Sequence, residues 1–77
     1  MVVRVFSTVW CPYCKMAKDF LKDHNVKFED INVQEHPERA EEMIRISGQT
    51  GVPVIDANGK IIIGYNREAI KQALKIK

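Results

Sequence analysis

Two cysteines, Cys11 and Cys14, are the residues whose type and spacing point to chemistry. They sit three positions apart in Trp10-Cys11-Pro12-Tyr13-Cys14. On a helix, residues three apart share a face, so both sulfurs meet at one end of it. Pro12 predicts that this end is the first turn, because a first helical residue needs no N–H partner. Cys11 then becomes the N-cap. A thiol must ionise to attack a disulfide, and a free cysteine is only a few per cent thiolate at neutral pH. The unpaired N–H groups and the dipole of a helix N-terminus favour the anion. Cys11, nearer solvent, is expected to attack a disulfide and form a mixed disulfide. Cys14, one turn inside, is expected to resolve it and leave an intramolecular disulfide. Its proximity makes that second step intramolecular and fast.

Other uses of a Cys-x-x-Cys pair remain open on these residues alone. A structural disulfide framework takes more cysteines at wider spacing, and so short a loop would stabilise little. A zinc site needs two further ligands; no second pair follows, and His24 and His36 are isolated. Two inert buried cysteines would not need a helix start or the intervening proline. A metal or iron–sulfur site built by two chains is a binding-module alternative, each chain supplying part of the coordination shell.

The whole chain bounds the context. Seventy-seven residues, 45% hydrophobic and 29% charged, suit one domain over residues 1–77 with a modest core. A net charge of +2 with no like-charged run gives no reason to expect a nucleic-acid or membrane partner. No apolar stretch is long enough to span a membrane. The opening Met1-Val2-Val3-Arg4-Val5-Phe6 lacks the order of a secretory signal and reads as a first strand. A free dithiol of this kind is expected in a reducing cytoplasm, on a monomer.

The elements that must position the pair follow from periodicity. Val2–Phe6 is β-branched and aromatic and predicts a buried strand, with Ser7–Trp10 as the loop after it. A helix is predicted from Pro12 to about His24, with Cys14, Ala17 and Leu21 inward, flanked by Tyr13 and Phe20. Lys15 and Lys18 read as a solvated face, or as a source of positive potential near the sulfurs. Val26–Val33 predicts a second strand, parallel to the first because a helix intervenes. Pro37 opens a second helix with Ala40, Met43, Ile44 and Ser47 inward, ended by Gly48. Val52–Asp56 and Lys60–Ile63 read as antiparallel strands joined through Ala57-Asn58-Gly59. Asn66 caps a last helix carrying Ile70, Ala73, Leu74 and Lys77 on one face. The order β-α-β-α-β-β-α implies an α/β fold, one mixed four-stranded sheet flanked by helices.

A second motif, Thr50-Gly51-Val52-Pro53, would alone be a loop entering a strand. Beside a Cys-x-x-Cys pair it gains meaning, since a proline that cannot donate leaves a backbone edge free for a bound peptide. The two motifs together resemble the glutaredoxins, of the thioredoxin fold. Glu41-Glu42-Met43-Ile44 leading to Ser47-Gly48, and Gly64 before the last helix, extend the likeness over nearly the whole chain. The resemblance implies disulfide reduction, a cis Val52–Pro53 bond, and Val52 backbone groups that pair with the substrate's cysteine residue. It also implies no bound cofactor, with glutathione as a co-substrate.

Against the glutathione-using pattern, Thr8 stands where a lysine is usual, and Ile63-Gly64-Tyr65-Asn66-Arg67 replaces Gly-Gly-Cys/Ser-Asp. Glutathione carries two carboxylates and an ammonium group. Each charged hydrogen bond is worth roughly 1.5–3 kcal/mol, so two losses weaken binding by about a hundredfold or more. Gln49, where arginine is common, and Arg67 are the substitutes available. Two features point instead toward redoxins of the NrdH type, which are reduced by thioredoxin reductase: Trp10 directly before the first cysteine is thioredoxin-like, and Gly64-Tyr65-Asn66-Arg67 is similar to their Gly-Phe-Arg-Pro stretch. Trp10 and Tyr65 are candidate docking aromatics or plain surface aromatics, and Tyr13 flanks the sulfur and is expected to shape the thiolate's approach. The expected partners are proteins carrying disulfides, with glutathione or a thioredoxin-reductase-type flavoprotein as reductant. A dedicated electron donor to an enzyme such as a ribonucleotide reductase is a further reading.

Overall fold

The computed structural model describes residues 2–76. Met1, and Lys77 with its expected place on the last helix, lie outside the described residues. Seven elements follow the expected order: β1 (Val3–Ser7), α1 (Pro12–Asp23), β2 (Glu29–Asn32), α2 (Pro37–Ser47), β3 (Val54–Ala57), β4 (Lys60–Ile63) and α3 (Arg67–Leu74). The strands form one mixed sheet in the order β2-β1-β3-β4. β1 runs parallel to β2, in register Phe6 to Ile31, and antiparallel to β3, in register Phe6 to Val54. β3 and β4 form the antiparallel hairpin, with Asn58 and Gly59 both at positive φ as its turn demands. No helix among the described residues is long and apolar enough to cross a membrane.

Period-two alternation along β1 divides the core. Val3 and Val5 face one layer, with Ala17, Phe20 and Leu21 of α1, Ile55, Ile62, and Ile70 and Leu74 of α3. Phe6 faces the other, with Ile31, Met43 of α2 and Val54. Burying each large apolar side chain is worth about 1.5–3 kcal/mol against leaving it in water. α1 begins at Pro12, ends at Asp23 and is capped by His24, after which Asn25 turns left-handed and the Val26 N–H reaches back to the Leu21 carbonyl.

Several sequence-derived bounds shift for physical reasons. β1 takes in Ser7, which pairs with Asn32. β2 is confined to Glu29–Asn32: the turn at Asn25 leaves Val26 and Phe28 packing their side chains on the core before strand pairing begins. β3 starts at Val54 rather than Val52, since Pro53 has no N–H for a ladder, and it extends to Ala57, which pairs with Val3 and Lys60. On α1, Tyr13 is 61% exposed because nothing covers its side of the first turn. On α2, only Met43 is buried, Ile44 is exposed, and Ile46 packs on the cluster instead.

A polar network ties the second layer together. Arg4, beside Phe6 on β1, donates to Asp56 of β3 at 2.6 and 3.1 Å and to Glu42 of α2 at 2.8 Å. Arg39 donates to the other Glu42 oxygen at 2.8 Å. The hydrogen bond from Arg4 holds the Glu42 carboxyl below the usual range, against the opposing effect of desolvation; Arg39 adds to the lowering. Stability from a lowered carboxyl is present above its unfolded pKa and lost as pH falls through the folded value. Arg4→Met is therefore expected to cost about 1–2 kcal/mol at pH 7, with the gap to wild type closing below about pH 4. Urea unfolding at both pH values measures it, and a gap independent of pH would refute the network.

Candidate functional site

The first turn of α1 rests over the end of β1, and its geometry sets the two sulfurs apart. Cys11 occupies the N-cap in extended conformation (φ −107°, ψ 106°), and its Sγ accepts the Cys14 N–H at 3.1 Å. That N–H is one of the orphan donors of a helix start, here spent on sulfur rather than on a serine or aspartate oxygen. Cys11 is partly exposed, and both cysteines are free. Its S–H also points toward the Val52 carbonyl at 3.8 Å. Cys14 is fully buried. Burial, reinforced by the hydrogen bond to Cys11 and by that sulfur's charge, pushes the Cys14 thiol up to about 12. A backbone hydrogen bond from Thr8 and the charge of Lys18 oppose the rise. One sulfur is thus presented to solvent and the other is stored neutral behind it.

The peptide bond between Val52 and Pro53 is cis. The Pro53 carbonyl takes the Gly64 N–H at 2.8 Å, which anchors the loop to the end of β4. The Val52 N–H has no protein partner among the described residues. A free N–H and a carbonyl turned to Cys11 leave a short backbone edge beside the exposed sulfur. Val9, Trp10, Cys11, Pro12 and Lys15 line a shallow depression there. Trp10 is 85% exposed, and Val9, Tyr13 and Met16 are exposed around it. Among the described residues, no group of three or more His, Cys, Asp or Glu side chains could hold a metal ion.

The sequence-derived candidates divide into those at Cys11 and those elsewhere. Trp10, Pro12, Tyr13, Val52 and Pro53 surround the cysteine pair, and Thr8 lies behind it through its backbone. Thr50 and Gly51 are exposed in the approach to the cis bond. Gln49 is tied to its own loop, its Nε2 donating to the Gly51 carbonyl at 3.2 Å. Asn66 spends its Oδ1 on the Ala69 N–H as the cap of α3. Tyr65 and Arg67 lie apart from the Cys11 depression, in a groove with Met16, Asp19, Phe20 and Asp23. There Arg67 stands 5.8 Å over the Phe20 ring and Tyr65 meets that ring edge-on. The sequence reading missed an inner network. The hydroxyl of buried Ser7 donates to Asp30 at 2.8 Å, and Lys18 donates to the same carboxylate at 3.1 Å. Lys18 and Asp30 are distant in sequence, and only the parallel pairing of β2 brings them together.

A cysteine pair seated at a helix start on this mixed sheet, with a cis-proline loop opposite, defines a thioredoxin-fold dithiol protein. The glutaredoxin family profile matches residues 3–62. An uncharacterised glutaredoxin-like 8.6 kDa protein in the rubredoxin operon of Clostridium pasteurianum is 40% identical over 74 residues, covering 96% of this chain and 99% of that protein. The crystal structure of a glutaredoxin from Archaeoglobus fulgidus superposes with a TM-score of 0.87 at 33% identity, over 95% of this chain and 85% of that one. NrdH-redoxin from Escherichia coli, a glutaredoxin-like protein with a thioredoxin-like activity profile, gives 0.85 at 28%, over 94% and 93%. The chain belongs to the glutaredoxin family. Membership and the paired cysteines together support thiol–disulfide exchange as its chemistry.

Proposed function

We propose that this protein reduces disulfides on other proteins and is itself recharged by a thioredoxin-reductase-type flavoprotein rather than by glutathione. The observation that carries the proposal is the asymmetry of the pair: Cys11 presented at the helix N-cap, Cys14 buried and neutral behind it. Cys11 attacks one sulfur of the substrate disulfide and bonds to it, and the other sulfur leaves as a thiolate. Cys14 then gives up its proton and attacks the Cys11 sulfur. The substrate sulfur that had bonded to Cys11 departs with the pair of the broken bond, and Cys11 and Cys14 are left bonded. An extended substrate segment can pair with the free Val52 backbone while its cysteine faces Cys11. The exposed apolar surface of Val9, Trp10 and Tyr13 suits a protein partner more than a small charged thiol.

The choice of reductant rests on what is missing near Cys11. Thr8 brings no cation, Gln49 is engaged with Gly51, Asn66 is a helix cap, and Arg67 stands over Phe20. Among the described residues, Lys15 is then the one charged side chain lining the depression beside the sulfur, against the two carboxylates and the ammonium of glutathione. The likeness to NrdH-redoxin, with its thioredoxin-like activity profile, points the same way. The dithiol cycle needs a reducing compartment such as the cytoplasm.

The test is a paired measurement of NADPH consumption with a protein disulfide as acceptor. One arm supplies thioredoxin reductase, the other glutathione with glutathione reductase. The reductase arm should turn over at least about tenfold faster, in line with the loss of one or two charged contacts to glutathione. Faster turnover in the glutathione arm would overturn the choice of reductant. Turnover in neither arm would overturn the activity.

A further inference from the structure

Resolution demands something of Cys14 that its surroundings resist. The thiol is fully buried and neutral, yet it must shed a proton before its sulfur can attack. Ser7 is the buried polar residue on the adjoining end of β1, and its hydroxyl is committed to Asp30 at 2.8 Å. Asp30 in turn holds the Lys18 ammonium at 3.1 Å. Lys18 lies four residues beyond Cys14 on α1, so the two side chains share a face, one turn apart. Its side chain is only 23% exposed, whereas Lys15 and Lys22 of the same helix face solvent. The Asp30 side chain is 50% exposed, so water screens its charge and it anchors the ammonium without cancelling it.

We propose that Lys18, pinned beneath α1 by Asp30 and Ser7, is a positioning residue for the resolving step, its ammonium stabilising the Cys14 anion as it forms. The proposal rests on the assignment of Cys14 as the resolving thiol. In this step the Cys14 sulfur supplies the electron pair of the new bond to Cys11. The substrate sulfur leaves with the pair of the broken bond. The proton shed by Cys14 passes through water to that departing thiolate, so two electrons move to the substrate and no other reactant is needed. The titratable groups on this side of the site are Cys11 at the N-cap, Tyr13, Lys15 and Lys18 of α1, and Asp30 of β2; of these Tyr13 and Lys15 are exposed to solvent. β1 adds the Ser7 hydroxyl, the loop after it adds the Thr8 backbone, and the loop over residues 48–53 has no titratable side chain.

Reaction of the reduced protein with dithiobis(nitrobenzoic acid) separates the two steps, because each releases one coloured nitrothiobenzoate. The first phase reports attack by Cys11 and the second reports resolution by Cys14. Lys18→Met should slow the second phase about tenfold at pH 7 and shift its pH profile about one unit alkaline, as loss of one nearby charge requires. Lys18→Gln, read in parallel, should do the same, which guards against a single poorly folded variant. Lys18→Arg should restore most of the rate. Lys22→Met, which removes an equal charge from the exposed end of the helix, should leave both phases within about twofold of wild type. A second phase unchanged in both neutral Lys18 variants, or slowed equally by Lys22→Met, would overturn the role of Lys18. A wild-type first phase no faster than free cysteine would instead overturn the underlying reading of Cys11, and the role of Lys18 with it.

Discussion

Cys11→Ser should abolish disulfide reduction, lowering the rate by about a thousandfold or more, because a serine hydroxyl does not ionise at neutral pH and forms no mixed disulfide. Cys14→Ser should behave differently. Its Cys11 remains at the N-cap and can still attack, but nothing inside the chain can release the adduct. The variant should accumulate one covalently bound substrate per chain, visible by intact mass and reversed by an added thiol. The two outcomes follow from exposure and hydrogen bonding, not from sequence order alone. Cys11 is reachable and receives the Cys14 N–H, whereas Cys14 has no accessible surface. Were the Cys11 variant to keep its activity, or the Cys14 variant to gain no adduct, the roles would have to be reassigned.

The second large effect is on stability, and it carries a definite sign. The folded Cys14 thiol is raised from 9.0 to about 12, chiefly by burial. A raised acid is more protonated in the folded state, so its stabilising contribution is complete below the unfolded value and declines as pH rises toward the folded one. At about 1.4 kcal/mol per pH unit, the reduced protein should lose roughly 2 kcal/mol from this group by about pH 10.5. Urea midpoints of the reduced wild type, measured from pH 8 to about 10.5, should fall more steeply than those of Cys14→Ala. The oxidised protein has no such thiol to titrate and should follow the shallower course. Parallel curves for all three would show that Cys14 ionises as freely in the fold as outside it.

Both expectations draw on features of unequal visibility in the primary structure. The Cys-Pro-Tyr-Cys segment was legible because proline at a helix start and a three-residue spacing are local rules. The N-cap geometry of Cys11 came out as those rules require. Asn58-Gly59 and Asn66 were legible for the same reason, each satisfying its own turn or cap. The Thr50-Gly51-Val52-Pro53 loop acquired its meaning only beside the cysteine pair, and its cis bond only from the family likeness. Its proximity to Cys11 joins residues forty-one positions apart.

Elsewhere local periodicity misled. Tyr13 and Ile44 fall on or beside apolar stripes, yet no neighbouring element covers them, so both are exposed. Val26 and Phe28 have the alternation of a strand but are spent on packing where the chain leaves α1. Gln49, Tyr65, Asn66 and Arg67 were grouped as candidates near the sulfur on resemblance. The fold gives Gln49 and Asn66 backbone duties and gathers Tyr65 and Arg67 around Phe20.

Sequence alone determined the order of elements, the sheet's composition and the seat of the paired sulfurs, since each depends on bonds or packing within a turn or two of chain. Tertiary structure decided which sulfur is buried, what lies opposite it, and which lysine is held near it. Those outcomes depend on burial and on charges brought together by strand pairing. The Lys18–Asp30–Ser7 contact exists only because β2 lies alongside β1. Desolvation, which raises the Cys14 thiol, has no counterpart in an extended chain surrounded by water.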